Sequence, residues 1–403
     1  MQCLFILFRR LSLSTKITFF PVGNGDMTLI ELDDAKQTKI LIDMNIRESA
    51  DDEANEDYFD IASELRSRLK NDSKGHPYID VFLQTHPDQD HVRGLAKHFN
   101  LGAVDDYKEP KEGEQAKIII QEIWSSPIVW RRADKRTGHT LCQDAKDFNT
   151  EAKRRVNLYK KAKKIGEAGD RIRIIGKDEN GKTDGLEAIL TEVDQTFTKI
   201  NEQETQMVEV YVLGPLQAKD VEDEDRLSKN HSSVILQFKI AAQPYGSKTN
   251  IFLCGGDAEV AIWRELWRKH QNAPHCLSYD ILLTPHHCSW HTLSEDSWSR
   301  SKNPKVDEDA KSALSQAKRY AQLIASSNVI KDDDNDPPCW GAKKQYEAIA
   351  SNVGGELVCT GTNDHEVVEI ILTTGGPQKS PKRASNITLG AGLASSAKPK
   401  PHG

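Results

Sequence analysis

From Lys16 onward short apolar runs alternate with turn residues. KITFFPVG stops at Gly23, DMTLIEL carries Met27, Leu29, Ile30 and Leu32, and KILIDM ends on Asp43. Three such runs in succession predict a meander of strands. Ile61, Leu65 and Leu69 recur at helical spacing and predict a helix over about 60–70. IDVFLQT and KIIIQEIWSS read as buried strands, and 141–165, free of Gly and Pro, as a long helix. RIRIIG and VEVYVLGP are strands flanking a polar stretch at 176–206. VILQFKI, NIFLCGG and ILLTP follow, with an amphipathic helix at about 258–270 and a further helical segment at 301–324. LVCTG and VVEIILT close the series. Strand groups at both ends, each followed by helices, predict two sheets packed face to face with helices outside, a four-layer αββα sandwich over 16–374. Residues 1–15 are an extension, about 125–170 a basic helical insertion, and 375–403 a low-complexity tail expected to be disordered.

The chain has 403 residues, 37 % hydrophobic and 29 % charged, enough for one large domain with a very polar surface. No apolar run reaches the roughly 18 residues that a membrane helix needs. Its net charge of −7 argues against a globally basic nucleic-acid binder. The seven cysteines are widely spaced, with no CxxC pair, which disfavours a disulfide framework and a cysteine-rich zinc site and fits a reducing cytoplasm. Arg9 and Arg10 follow the apolar Leu4–Phe8 stretch, whereas a secretory signal has its positive charge before the apolar run.

Ligand-type residues collect at three strand ends. QTHPDQDHVRG sets His86, Asp88, Asp90 and His91 within six residues, directly after a buried strand. Imidazole and carboxylate at that density suit a divalent metal; a polar capping loop accounts for Asp90 alone. IFLCGGDAE delivers Asp257 after two glycines, which on its own is also a plain turn. DILLTPHHCSWHT delivers His286 and His287, with Ser289 and His291 beyond.

The set resembles the metallo-β-lactamase superfamily, and within it the hydrolase domain of ComEC-type competence proteins. His86-x-Asp88-x-Asp90-His91 matches the HxHxDH motif in its SHPDxDH form. VGNGD at 22–26 matches a VGxGD turn, Asp43 a strand-end aspartate, and His286–Ser289 an HHGS motif with Cys288 in place of Gly. Asn230-His231-Ser232-Ser233 matches an Asn-x-x-Ser stretch. The resemblance runs from about Lys16 to Leu372 and is weak in the middle. It implies two divalent ions, Zn²⁺ or Mn²⁺ with Fe as an alternative, since Asp88 replaces a nitrogen ligand. His86 and Asp88, with His231, would serve the first ion; Asp90, His91 and His287 the second; Asp257 would bridge. Asp90, His286 and Ser289 are the catalytic candidates, for orienting the nucleophile, protonating the leaving group and binding phosphate. Asp26 and Asp43 would support the ligands.

The implied activity is phosphodiester hydrolysis, with a nuclease as the leading expectation. The segment 130–164 holds twelve Lys and Arg against four Asp and Glu. It marks Arg131, Arg132, Arg154, Arg155, Lys160 and Lys161 as candidate contacts to nucleic acid or another phosphodiester, although most charge runs are solvated helix faces. The alternatives are a small-molecule hydrolase acting on a cyclic nucleotide, phosphocholine or lactone, and a partner-dependent subunit of a bacterial defence or mobile-element system whose protein partner is encoded by a neighbouring gene. No membrane role is expected.

Overall fold

The computed structural model describes residues 14–52, 58–134, 140–178, 181–217, 230–363 and 366–381, the side chains of 131–134 and 363 excepted. Two large sheets form the centre. In the first, Lys16–Phe19, Thr28–Glu31 and Lys39–Ile42 make the antiparallel meander, and Pro77–Leu83, Ile118–Ser125 and Arg171–Ile175 continue it in parallel. In the second, Val208–Gly214, Ile235–Ile240 and Asn250–Cys254 are antiparallel; Tyr279–Leu283, Ala317–Ala325 and Glu356–Cys359 extend it in parallel.

Side chains alternate across a strand, so a strand covered on both faces is apolar throughout and feeds two cores. Ile40, Ile42, Val81 and Leu83 point into the core between the sheets, against Val210, Leu236, Phe238, Phe252 and Ile281. Their neighbours Leu41 and Phe82 point outward, against Ile61 and Leu65 of the helix Ile61–Arg68 and Phe148 of the helix Gln143–Ala162. On the far side Leu253 and Leu282 pack under Val260–His270, Glu308–Leu314 and Trp340–Asn352. Three cores between four layers make the αββα sandwich. Among the described residues no helix is long and apolar enough to cross a membrane, and the cysteines are unpaired.

Three stretches depart from the pattern-based expectation. The segment 301–324 splits into the helix Glu308–Leu314 and the strand Ala317–Ala325. Ala, Lys and Gln favour a helix in isolation, but pairing on both sides with Tyr279–Leu283 and Glu356–Cys359 overrides that weak preference. The helix Trp340–Asn352 has no expected counterpart. The tail begins later than Gly375, because Gly376–Lys379 pairs antiparallel with Val368–Thr373.

The helix Gln143–Ala162 is fastened by charge as well as by its apolar stripe. Arg155, 1 % exposed, donates to Glu151 Oε1 at 2.7 Å and to the backbone carbonyls of Ile120 at 3.0 Å and Arg171 at 2.9 Å. Arg154 donates to Glu151 at 2.8 Å and Asp170 at 2.7 Å. Removing one partner of a buried pair leaves the other charge uncompensated. Arg155→Ala should therefore cost about 3–5 kcal/mol, read as a lower denaturant midpoint. An unchanged midpoint would contradict the burial described here.

Candidate metal centre

Parallel strands end together, and the carboxyl edge of a sheet is where side chains from separate strands can meet. Here the edges of both sheets meet. Lys39–Ile42 delivers Asp43, Pro77–Leu83 leads into His86–His91, Asn250–Cys254 into Asp257, and Tyr279–Leu283 into His286 and His287. Asp26 enters from the turn that follows Lys16–Phe19.

Asp257, 2 % exposed, stands at the centre. Its Oδ2 lies 3.4 Å from His86 Nε2 and 3.6 Å from His286 Nε2. Its Oδ1 lies 3.1 Å from His91 Nε2 and 3.5 Å from His287 Nε2. Asp88 closes the first set, with Oδ2 3.6 Å from His86 Nε2, and Asp90 the second, with Oδ2 3.4 Å from His287 Nε2. One carboxylate thus faces two clusters of ligand atoms. His86, Asp88 and Asp257 converge within metal-binding reach, as do Asp26, His91, Asp257 and His287.

Buried acceptors and imidazoles that face one another need cations. His91 Nε2 and His287 Nε2 are 3.2 Å apart, and His86 Nε2 and Asp257 Oδ1 have no hydrogen bond of good geometry although both are buried. Without a metal, protons supply the charge. Burial and His91 oppose a charge on His86, but Asp257 and Asp88 outweigh them and push its pKa up to about 9. Burial opposes it on His91 and His287 too; Asp257, with Asp43 for His91 and Asp26 for His287, raises both well above the usual imidazole range. Burial would raise Asp257, yet the four histidines hold it well below the carboxylate range. The donor set fits divalent cations: imidazole nitrogen and carboxylate oxygen, with one carboxylate shared.

The opposite ring nitrogens are held from behind. Asp43 Oδ2 takes the Nδ1 proton of His91 at 2.8 Å. Asp43 also accepts from the Thr85 backbone N–H at 2.7 Å and from its hydroxyl, and that hydroxyl lies 3.1 Å from His86 Nδ1. Asp26 Oδ1 sits 3.4 Å from His287 Nδ1. A carboxylate that fixes Nδ1 leaves Nε2 facing the cluster, where it would be available to a metal. Gly256 matters for the approach: its φ is +48°, and a Cβ there would lie 2.6 Å from Thr85 Oγ1.

His231 and Ser289 take places different from those expected. His231 joins neither converging group; its Nε2 faces Glu259 Oε2 at 3.4 Å, and Glu259 Oε1 faces His286 Nδ1 at 3.8 Å. His286 Nε2 is instead the second imidazole nitrogen facing Asp257 Oδ2, at 3.6 Å. Ser289 is fully buried and donates to Asp336 Oδ1 at 2.7 Å, which also accepts from the Trp290 N–H at 3.0 Å. Its hydroxyl ties down a turn instead of facing substrate. That turn is strained: His286, His287 and Cys288 have φ of 51°, 53° and 67°, three consecutive side chains in the left-handed region. The Asp run at 332–336, which reads as a solvated loop, contains this anchor. One Asp among the four of that polar run carries no signal of such a role.

The basic segment divides. Arg154 and Arg155 are spent on internal pairs. Lys160 and Lys161 are exposed but stand at the far end of their helix. Asp144 at its start accepts from Gly94 and Ala96, beside the His86–His91 loop; Arg155 reaches carbonyls at the opposite ends of Ile118–Ser125 and Arg171–Ile175. The side chains of Arg131 and Arg132 lie outside the described residues.

No protein-family model matches the chain, and no curated protein sequence matches it. Among solved structures it is similar to an isothiocyanate hydrolase from Delia radicum gut bacteria, with 11 % identity over 86 % of this chain and 95 % of that one and a TM-score of 0.34. A diphosphatase of the PhnP family aligns with 11 % identity over 89 % and 98 %, at a TM-score of 0.34. A metallo hydrolase from the archaeon Ignicoccus hospitalis aligns with 11 % identity over 89 % and 98 %, at 0.33. Likeness at this level carries no argument about activity or substrate.

Two outcomes are expected. Asp336→Ala should weaken metal affinity about 10–100-fold without touching a ligand, measured by competition with a chromophoric chelator. Unaltered affinity would remove Asp336 from its anchoring role. In chelator-treated protein the raised pKa of His86 adds stability that is fully present below its ordinary value of 6.5 and is lost as pH rises through about 9. Its thermal midpoint should fall across that window, while metal-loaded protein, which needs no protons there, should not follow it. Parallel pH profiles would refute the assignment.

Proposed function

We propose that this chain is a metal-dependent hydrolase that cleaves phosphodiester bonds. The observation that carries the reading is the bridging position of Asp257, with one oxygen toward each ligand cluster. Divalent ions held there would supply a hydroxide at neutral pH and offset charge on the phosphoryl oxygens. His86, Asp88 and Asp257 would hold one ion, and Asp90, His91, His287 and Asp257 the other. Asp90, the more open of the carboxylates around the second set, is suited to orient the attacking water and take its proton. His286 has its side chain 15 % exposed, the most open of the four clustered imidazoles. Burial lowers its pKa against the pull of Asp257, so at neutral pH the ring is uncharged and offers an N–H to an oxygen of the substrate. Glu259 Oε1 lies 3.8 Å from its Nδ1.

A small diester is the second reading, favoured by the distance of Lys160 and Lys161 from the cluster. A nuclease must take its hold on nucleic acid from residues other than Arg154 and Arg155.

With added Mn²⁺ or Zn²⁺ the protein should hydrolyse bis-p-nitrophenyl phosphate. Asp90→Ala and His287→Ala should each lower kcat by at least about a hundredfold. Bound metal without diester turnover, or turnover that survives both changes, would overturn the proposal.

A further inference from the structure

Among the described residues two guanidinium groups near the cluster make no ion pair. Among the described residues neither Arg47 nor Arg93 makes a side-chain hydrogen bond or ion pair, although both are half-buried, and Arg47 Nε is buried without a partner. Arg68, Arg154, Arg155 and Arg171 are all tied to acids or carbonyls. Leaving a half-buried guanidinium unpaired is costly unless something else binds it.

Arg47 and Arg93 line one cleft of about 510 Å³ together with Ser49 and Gln89. The acids around it are engaged. Asp144 accepts two backbone N–H groups, and Asp51 pairs with Lys97 and faces His98. Glu48 is exposed at the rim. Two of its lining residues neighbour the cluster along the chain: Gln89 lies between Asp88 and Asp90, and Arg93 follows His91 by two residues. Asn45 and Arg93 are partners in the short parallel pair Met44–Asn45 with Val92–Arg93, which brings Arg47 to the same side of the site. A guanidinium is a planar fork of donors that matches phosphate oxygens.

We infer that Arg47 and Arg93 form a seat for a second phosphate of the substrate, next to the bond that is cut. The inference rests on the phosphodiester reading and narrows it to substrates with at least two phosphates. Two sources supply such a phosphate, the neighbouring linkage of a polynucleotide and the terminal phosphate of a nucleotide.

The metal-loaded protein would be assayed on bis-p-nitrophenyl phosphate and TpT, which carry one phosphate, and on TpTpT and pTpT, which carry two. In the Arg47→Ala/Arg93→Ala double variant the ratio of kcat/KM on TpTpT to that on bis-p-nitrophenyl phosphate should fall about ten- to hundredfold. A parallel fall on pTpT assigns the seat to any phosphate; a fall on TpTpT alone assigns it to an internal linkage. A ratio unchanged within about twofold overturns the seat. If the wild-type protein cleaves no diester, the underlying reading fails and the seat is tested by binding. Fluorescein-labelled oligothymidylate should then bind at least about tenfold more weakly to the double variant, with a salt slope reduced by about two. Equal binding with an equal slope overturns it.

Discussion

The buried carboxylate of Asp257 is the constraint on which the site depends. It is carried by the second sheet, yet the His86 and His91 rings that it meets belong to the first. Charge this deep is tolerable only when opposite charge lies within a few ångströms, so the two sheets must meet at one spacing. The inter-sheet core of Leu83, Leu236, Phe238 and Phe252 sets that spacing by volume. The Val234 N–H donating to the Thr85 carbonyl at 3.0 Å sets it by direction. Gly256 then lets the Asp257 turn settle against Thr85, and Thr85 in turn links Asp43 to His86.

Most of this frame was legible in the amino-acid pattern. Short apolar runs, several of them ending on Gly or Pro, located most of the strands, and the ligand-type residues directly after them, His86 to His91, Asp257 and His286–His287, fell on one edge. What was not legible depends on partners distant in sequence. Ala317–Ala325 has helix-forming residues and becomes a strand because a slot between two parallel strands receives it. Arg155 turns inward because its guanidinium meets Glu151 one helical turn earlier and backbone carbonyls of the sheet, and a count of charges cannot separate that from an outward-facing cation. Asp336 lies 46 and 47 residues from the groups that it binds. His231 sits in a matching motif, but the side chain reaching the metal edge from that direction is His286.

Two of the clustered imidazoles are backed by carboxylates on their other side, Asp43 for His91 and Asp26 for His287, while His86 Nδ1 meets the Thr85 hydroxyl. Acids on the outer wall, Asp51 and Asp144, are already occupied. Among the described residues Arg47 and Arg93, which line the cleft, are left without an ion pair.

The left-handed turn at His286–Cys288 couples two positions far apart in the chain. Three side chains held at positive φ are disfavoured by the backbone itself, and the turn persists because Asp336 grips Ser289 and Trp290 while the Cys339 N–H donates to the Cys288 carbonyl at 3.0 Å. A glycine at 288 would adopt the same conformation without the strain and would lessen the demand on residue 336. Positions 288 and 336 are therefore coupled: the tolerance of one to change depends on the occupant of the other.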